Sequence, residues 1–349
     1  MFWTWLKKVE TPVVRETEIG RVLPAVRPKR RKYFVLGALV ILLTGLYLGY
    51  KLGQLPNIPY VSTVGEWSVG IYTGDSLSVF QPAEGITNPV LTRHDITDVI
   101  AVFVADPFMV REKDSFYLFI EILNAMTNQG DIGVAVSSDA LQWEYKQVVL
   151  DEPFHLSYPH VFKWNDEYYM IPESARAFGV RLYKAVEFPF KWEVVSTLIH
   201  DRLVDPTIFE HDGKWWLFAC TNNYSTNLYF ADTPLGPWTI HPQSPVVNHS
   251  FRRGRPGGRI AAFGDRIIRY VQDCHQTYGR QLKAFEITEL TTTSFAQIEL
   301  PNSPILRESG KGWNADGMHQ LDPIQIGPNK WIAVVDGYND HWIFGNYYY

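Results

Sequence analysis

Cysteine is scarce. The 349-residue chain has two, Cys220 and Cys274. Two are too few for a disulfide framework, and no CxxC or Cys/His zinc spacing accompanies them. Both fall at or just past the end of a repeated strand, in neighbouring copies. They could lie side by side, and the reading adopted here is two buried free thiols. Helical periodicity is missing after residue 51, which argues against a helical bundle or an α/β fold. A basic surplus is missing from the same part of the chain. Residues 52–349 carry 22 Lys/Arg against 34 Asp/Glu, a net of −12, whereas residues 1–32 carry nine Lys/Arg against three Glu. An acidic globular part lacks the positive face that neutralises phosphates, so nucleic-acid binding is not expected. No cofactor motif is present, and neither a cofactor nor a metal is expected.

Aromatic residues are plentiful. Trp 12, Tyr 19 and Phe 20 make up 15% of the chain. Such side chains suit half-buried pleated strands and sugar-stacking surfaces alike. They are also arranged in copies. ADPFMVREKDSFYLFIE (residues 105–121) reads as a strand opened by Asp-Pro, a charged turn, and an aromatic strand ending on an acid. SYPHVFKWNDEYYMIPE and VDPTIFEHDGKWWLFAC repeat it, and PGGRIAAFGDRIIRYVQ and LDPIQIGPNKWIAVVD do so more loosely. Aligned on the aromatic strand, Asp106, Tyr158, Asp205, Gly257 and Asp322 form one column with spacings of 52, 47, 52 and 65 residues. Strand-only repeats of this length predict a five-bladed β-propeller. Trp143, Trp192, Trp238 and Phe295 follow their column residues by 37, 34, 33 and 38 positions, a regularity expected of blade packing. The fifth copy has little sequence left for outer strands. Residues 65–103 are therefore expected to fold back and complete it, since an open ring would expose a sheet edge.

Residues 33–50 (YFVLGALVILLTGLYLGY) carry no charge and follow Arg27, Lys29, Arg30, Arg31 and Lys32. The run is near the minimum for a membrane-spanning helix, and no Ala-x-Ala cleavage site follows it. The expected organisation is a basic cytoplasmic tail (1–32), a transmembrane signal-anchor (33–50), a linker (51–64) and the propeller (65–349). The positive-inside rule puts the propeller on the extracytoplasmic side, periplasmic or lumenal, of a single-pass protein.

In a propeller the first strand of each blade lines the central channel, so the column converges at one mouth. Asp106 and Asp205 enter from apolar residues that need no turn, which favours a functional role. Asp322 reads first as an Asp-Pro strand-entry turn. The partner strands end on Glu121, Glu173, Gln272-Asp273 and Asp336. Acids on a channel rim can serve glycoside hydrolysis, which needs two carboxyl groups in opposite protonation states. Asp106, Asp205 and Glu173 are the candidate catalytic residues. Tyr158, His160, Arg255, Asp273, His319 and Asp322 are the candidate substrate-binding residues. His160 and His319 could ligate a channel cation, although one histidine per blade reads more simply as hydrogen-bonded structure.

FVADPF (103–108), IGVAVSSDALQW (132–143), VVLDEPFHLSYPHVF (148–162), YYMIPES (168–174), LGPWTIHPQSPV (235–246), GRPGGRI (254–260) and VQDCHQTYG (271–279) carry a resemblance. Together they are similar to the N-terminal domain of plant glucosamine inositolphosphorylceramide transferases, found also in bacterial proteins. That domain in turn resembles the five-bladed propellers of glycoside hydrolase family 43. The resemblance implies that Asp106 stands where those hydrolases carry their base, and Asp205 where they carry an Asp that tunes its partners. Their acid is a Glu on a later blade, whereas Glu173 lies a blade earlier. Sugar transfer in the plant proteins is expected of a separate domain, so the resemblance implies a glycan or glycolipid setting. Three readings follow: an enzyme on a glycan or glycolipid head group, a saccharide-binding module serving a partner glycosyltransferase, or an interaction platform.

Overall fold

The computed structural model of the chain describes residues 29–52 and 61–344. It divides into two units, Met1–Pro59 and Tyr60–Tyr349. In the first, Lys29–Leu52 forms one helix of 24 residues. Its large side chains from Leu36 to Tyr50 are exposed. Among the described residues, however, no helix is long and apolar enough to cross a membrane. The expected bilayer span at residues 33–50 is therefore not supported by the structure. Most of the expected basic tail (1–28), and residues 53–60 of the expected linker, lie outside the described residues.

The second unit is a five-bladed β-propeller. Blade 1 runs Ala101–Glu112, Ser115–Asn124, Gln129–Ser137 and Glu144–Leu150. Blade 2 runs Ser157–Trp164, Glu167–Glu173, Val180–Glu187 and Lys191–Ile199. Blade 3 runs Leu203–His211, Lys214–Thr221, Thr226–Ala231 and Thr239–Ile240. Blade 4 has a broken inner strand, Arg255–Pro256 and Ala261–Phe263, followed by Arg266–Asp273, Gln281–Leu290 and Phe295–Glu299. Blade 5 joins the two ends of the unit. Leu321–Gly327 and Lys330–Phe344 supply its inner strands, and Val61–Ser76 and Val79–Pro82 its outer ones. Val61 pairs with Phe344, and the antiparallel register continues to Gly74 opposite Trp331. The fold-back expected from the short fifth copy is present, and it begins at Val61, inside the stretch expected as linker.

Five apolar clusters fill the junctions between neighbouring blades. Phe119 and Ile132 of blade 1 pack with Val161, Met170 and Trp192 of blade 2. Val69, Ile71, Ile332 and Val334 of blade 5 pack with Leu118 and Ile120 of blade 1. A cluster at each of the other three junctions makes the ring continuous. Each fully buried Leu or Ile contributes about 1.5–3 kcal/mol relative to exposure, so the junctions are the main source of stability. Trp143, Trp192, Trp238 and Phe295 all pack against these clusters, as their spacing implied.

Candidate functional site

The column residues are set by a bulge in the inner strand. In blade 1 Ala105 faces Glu121 and the next pair is Phe108 with Phe119, so Asp106 and Pro107 stand against Ile120 alone. The same two-against-one step holds Tyr158-Pro159 in blade 2 and Asp205-Pro206 in blade 3. Proline suits the step because the bulged position has no ladder bond to donate. The residue before each proline adopts left-handed backbone, with φ of 50° at Asp106, 48° at Tyr158 and 51° at Asp205. Three non-glycine residues held in that strained region, all around one channel, mark a place where side-chain direction was fixed at some cost. Blade 5 has no such step. Leu321, Asp322 and Pro323 pair in unbroken register.

Above the bulges lies a cavity of about 220 Å³. Asp106 and Glu121 of blade 1, Glu173 of blade 2 and Arg255 of blade 4 reach it, together with His155 and His319. Trp67 and Tyr278 give it an aromatic side. Trp67 stacks on His319 at 3.9 Å, and Tyr278 meets the same imidazole edge-on at 5.4 Å. Arg255 lies over the Tyr278 ring at 5.0 Å. Its guanidinium grips Asp205 through Nε and Nη2, and Nη2 stands 3.8 Å from Glu173 Oε2. Asp205 also accepts from Gln272 Nε2 at 3.1 Å and is fully buried.

Asp336 supports the other side. It accepts the backbone N–H groups of Asp106, His319 and Gln320, and its Oδ2 lies 2.7 Å from His319 Nδ1. His319 Nε2 then stands 3.6 Å from Asp106 Oδ1. Asp106 Oδ2 accepts the N–H of Tyr158, whereas Oδ1 is buried without a hydrogen-bond partner. Asp106, His319 and Asp336 offer ligand atoms within 4.8 Å of one another, so they could hold a cation. Most of the acceptor capacity of Asp336 is taken by backbone N–H groups. His319 lies between the two carboxyl groups, within ion-pair distance of each.

Too many carboxyl groups meet here for all to ionise. Burial, then the Asp205 charge, with Arg255 opposing, pushes Glu173 up to about 8. Burial pushes Asp106 up to about 7, opposed by His319 and reinforced by Asp205 and Asp336. Glu121 is also raised well above the ordinary carboxylate range, by burial and by Asp106 and Glu173. His155 goes the other way, down to about 4, through burial and the charge of Arg176. Burial works against the His319 charge, but Asp336 and Asp106 outweigh it and raise its pKa. At neutral pH the cavity thus holds a protonated Glu173, with the raised His319 imidazole beside Asp106.

A second cluster plugs the channel. The hydroxyl of Tyr158 lies 2.8 Å from Thr207 Oγ1 and bridges both the N–H and the carbonyl of Gly258. Gly258 has φ of 134°, and a Cβ there would meet the Leu321 carbonyl oxygen at 1.9 Å, so only glycine fits. Arg259 binds Asp322 through Nε and Nη2, donates to the Val161 carbonyl, and lies 3.2 Å from His160 Nε2. Asp273 turns elsewhere, accepting from Gln281 and the N–H of His275. Of the residues singled out from sequence, Asp106, Glu173, Arg255 and His319 line the cavity and Asp205 sits directly behind Arg255. Tyr158, His160, Asp273 and Asp322 do not reach it. Trp67, Tyr278 and His155 were not legible as site residues. Glu121 and Asp336 were visible only as the acidic ends of repeated strands.

The family described as "Glucosamine inositolphosphorylceramide transferase 1, N-terminal" matches residues 61–338, nearly the whole propeller. The chain belongs to this family. Among curated family members, glucosamine inositolphosphorylceramide transferase 1 of Oryza sativa subsp. japonica is 38% identical over 299 residues, covering 78% of this chain and 40% of the relative. Its namesake from Arabidopsis thaliana is 35% identical over 297 residues, covering 78% and 39%. The chain thus matches about two fifths of these relatives' length. Among solved structures, the β-1,2-mannobiose phosphorylase of Listeria innocua superposes with a TM-score of 0.55 at 14% identity, covering 76% of this chain and 96% of that one. That likeness speaks to the fold alone.

Proposed function

We propose that this family member is a carbohydrate-active propeller that takes one sugar of a glycan or glycolipid head group into the cavity beneath Trp67 and Tyr278. In this reading Glu173 is the proton donor and Asp106 the carboxylate opposite it. One observation carries the proposal: a carboxyl protonated at neutral pH, Glu173, and a second carboxyl group, Asp106, whose Oδ1 has no hydrogen-bond partner, line the same sugar-sized cavity. Acid–base cleavage of a glycosidic bond needs such a pair. The aromatic side suits the apolar face of a sugar ring. The relatives' names, which refer to an inositolphosphorylceramide, support a glycolipid as the larger molecule.

A second reading is favoured by Asp205. Its charge is neutralised by Arg255, which leaves it unable to act as an independent base. The cavity would then hold the saccharide for a partner glycosyltransferase without cleaving it. Turnover of aryl glycosides, combined with calorimetric binding of the released sugar, separates the two. Catalysis requires that Glu173→Gln and Asp106→Asn abolish turnover while binding persists. Binding by the wild type with no turnover on any glycoside leaves the second reading. Absence of both removes the proposal.

The exposed apolar side chains from Leu36 to Tyr50 and the basic residues that open the helix support an anchor at a membrane, with the propeller on the extracytoplasmic side. Alkaline extraction of membranes and protease protection test it. Release of the intact chain by carbonate counts against an anchor.

A further inference from the structure

The cavity does not end at Glu173. The same carboxyl borders a groove of about 440 Å³ between blades 2 and 3, formed with Arg176, Arg202 and Asn222. Arg202 and Asn222 continue into a third hollow of about 460 Å³ beside Thr221 and Phe178. Two guanidinium groups therefore flank one path leading out of an acidic cavity. Arg176 is near enough to depress His155 at the cavity wall, and it is exposed. Arg202 is exposed too, and its guanidinium lies 3.8 Å above the centre of the Phe178 ring. Among the described residues neither guanidinium has a carboxylate within ion-pair distance. Among the described residues the acids lining the two hollows are Glu173 and Asp201, and Asp201 accepts the backbone N–H of Arg202 at 2.7 Å.

Phe178 explains why Arg202 is held in place. It is 60% exposed with left-handed backbone (φ 57°), an unusual setting for a large apolar residue. Stacking on its face orients the guanidinium fork and lowers the entropy cost of engaging an anion. Asn222 adds a neutral donor along the same wall, whereas the Thr221 hydroxyl beside it is already committed to Asn223 and the Ser225 carbonyl. A tetrahedral oxyanion with several acceptors uses this set more fully than a planar carboxylate does.

We propose that this groove is an anion subsite for a phosphate ester attached to the sugar whose ring occupies the cavity. Arg176 and Arg202 supply the charge, and Asn222 assists. The inference rests on the reading that the cavity holds a sugar, and it names the neighbouring substituent. The phosphate could belong to a soluble sugar phosphate or to a lipid head group, because both present the same oxygens.

Titration of the full chain in neutral detergent with myo-inositol 1-phosphate, myo-inositol and glucuronic acid tests the proposal. Detergent micelles with and without phosphatidylinositol distinguish the lipid-borne source. The phosphate ester should bind at least about tenfold more tightly than myo-inositol, and Arg176→Ala/Arg202→Ala should remove that advantage. Arg202→Lys, which keeps the charge but loses the fork, should restore part of it. Raising the salt concentration should weaken the phosphate ester and leave the neutral ring unchanged. Equal binding of the ester and the neutral ring overturns the proposal, as does phosphate binding that survives the double substitution. Stronger binding of glucuronic acid than of the ester would overturn the phosphate assignment. Asp106→Asn reads the cavity separately. If phosphate binding depends on both arginines but neutral sugars ignore the Asp106 change, the subsite stands and the cavity reading falls.

Discussion

Trp67 and His319 lie 252 positions apart in sequence and stack with ring centroids 3.9 Å apart and planes at 19°. Trp67 comes from the strand that closes the ring, His319 from the loop entering the last inner strand. Closure of the propeller and construction of the cavity are thus one event. Trp67→Ala should loosen His319 and Tyr278 together and cost about 3–5 kcal/mol as a core truncation. Saccharide affinity should fall with it. Trp67→Phe keeps a stacking ring and should recover most of both. Thermal unfolding and calorimetric titration of the two variants provide the comparison. Unchanged affinity in Trp67→Ala would mean that the aromatic side does not touch the ligand.

Arg255 and Asp205 form the buried ion pair behind the cavity. Arg255→Met leaves a fully buried carboxylate with no cation, for an expected loss of about 3–5 kcal/mol. Removing both charges, as Arg255→Met/Asp205→Asn, should return much of that stability, since the pair's attraction is offset by its own desolvation. Chemical denaturation of the singles and the double gives the coupling directly. Additive losses would show that the two side chains do not act as a pair.

Glu173 predicts a pH dependence with a definite sign. Its folded value of about 8 lies above the ordinary 4.5, so over that window the folded chain holds a proton the unfolded chain has released. Stability must then fall as pH rises from about 4.5 to about 8 and level off above it. Asp106, raised to about 7, adds a smaller loss of the same sign between about 4 and 7. Glu173→Gln removes its own share of this dependence, while Asp106 and the raised Glu121 keep theirs. The variant should be more stable than the wild type at pH 8, by on the order of a few kcal/mol, unfold at a correspondingly higher temperature, and differ little at pH 4.5. A variant equally destabilised at both pH values would show that Glu173 is ionised in the folded chain.

The sequence revealed the ring before the site. Asp-Pro entries, aromatic strands and the spacing of Trp143, Trp192, Trp238 and Phe295 are local and periodic, so they can be read along one chain. Which backbone a column residue adopts depends on whether the inner strand bulges, and even a bulged residue such as Tyr158 need not reach the cavity. Asp106-Pro107 and Asp322-Pro323 read alike, yet the first is bulged and left-handed and the second stays in register. Dipeptide chemistry does not decide that. Trp67 and Tyr278 were hidden for another reason. They belong to no repeat, and only ring closure brings them to the mouth.

Arg259 offers the contrasting test. Its guanidinium joins Asp322 of blade 5 to the Val161 carbonyl of blade 2 and lies beside His160, closing the channel beneath the bulges. Nothing in this cluster reaches the cavity, so its contribution should be to stability. Arg259→Met should strand the buried Asp322 carboxylate and cost about 3–5 kcal/mol. Asp322→Asn, which keeps the shape and loses the charge, should cost less and leave saccharide affinity unchanged. Denaturation curves and titrations on the same samples decide between the two roles. If Asp322→Asn weakens binding without lowering stability, the channel below the bulges takes part in recognition, and the binding role expected for His160 and Asp322 from their places in the repeat would stand.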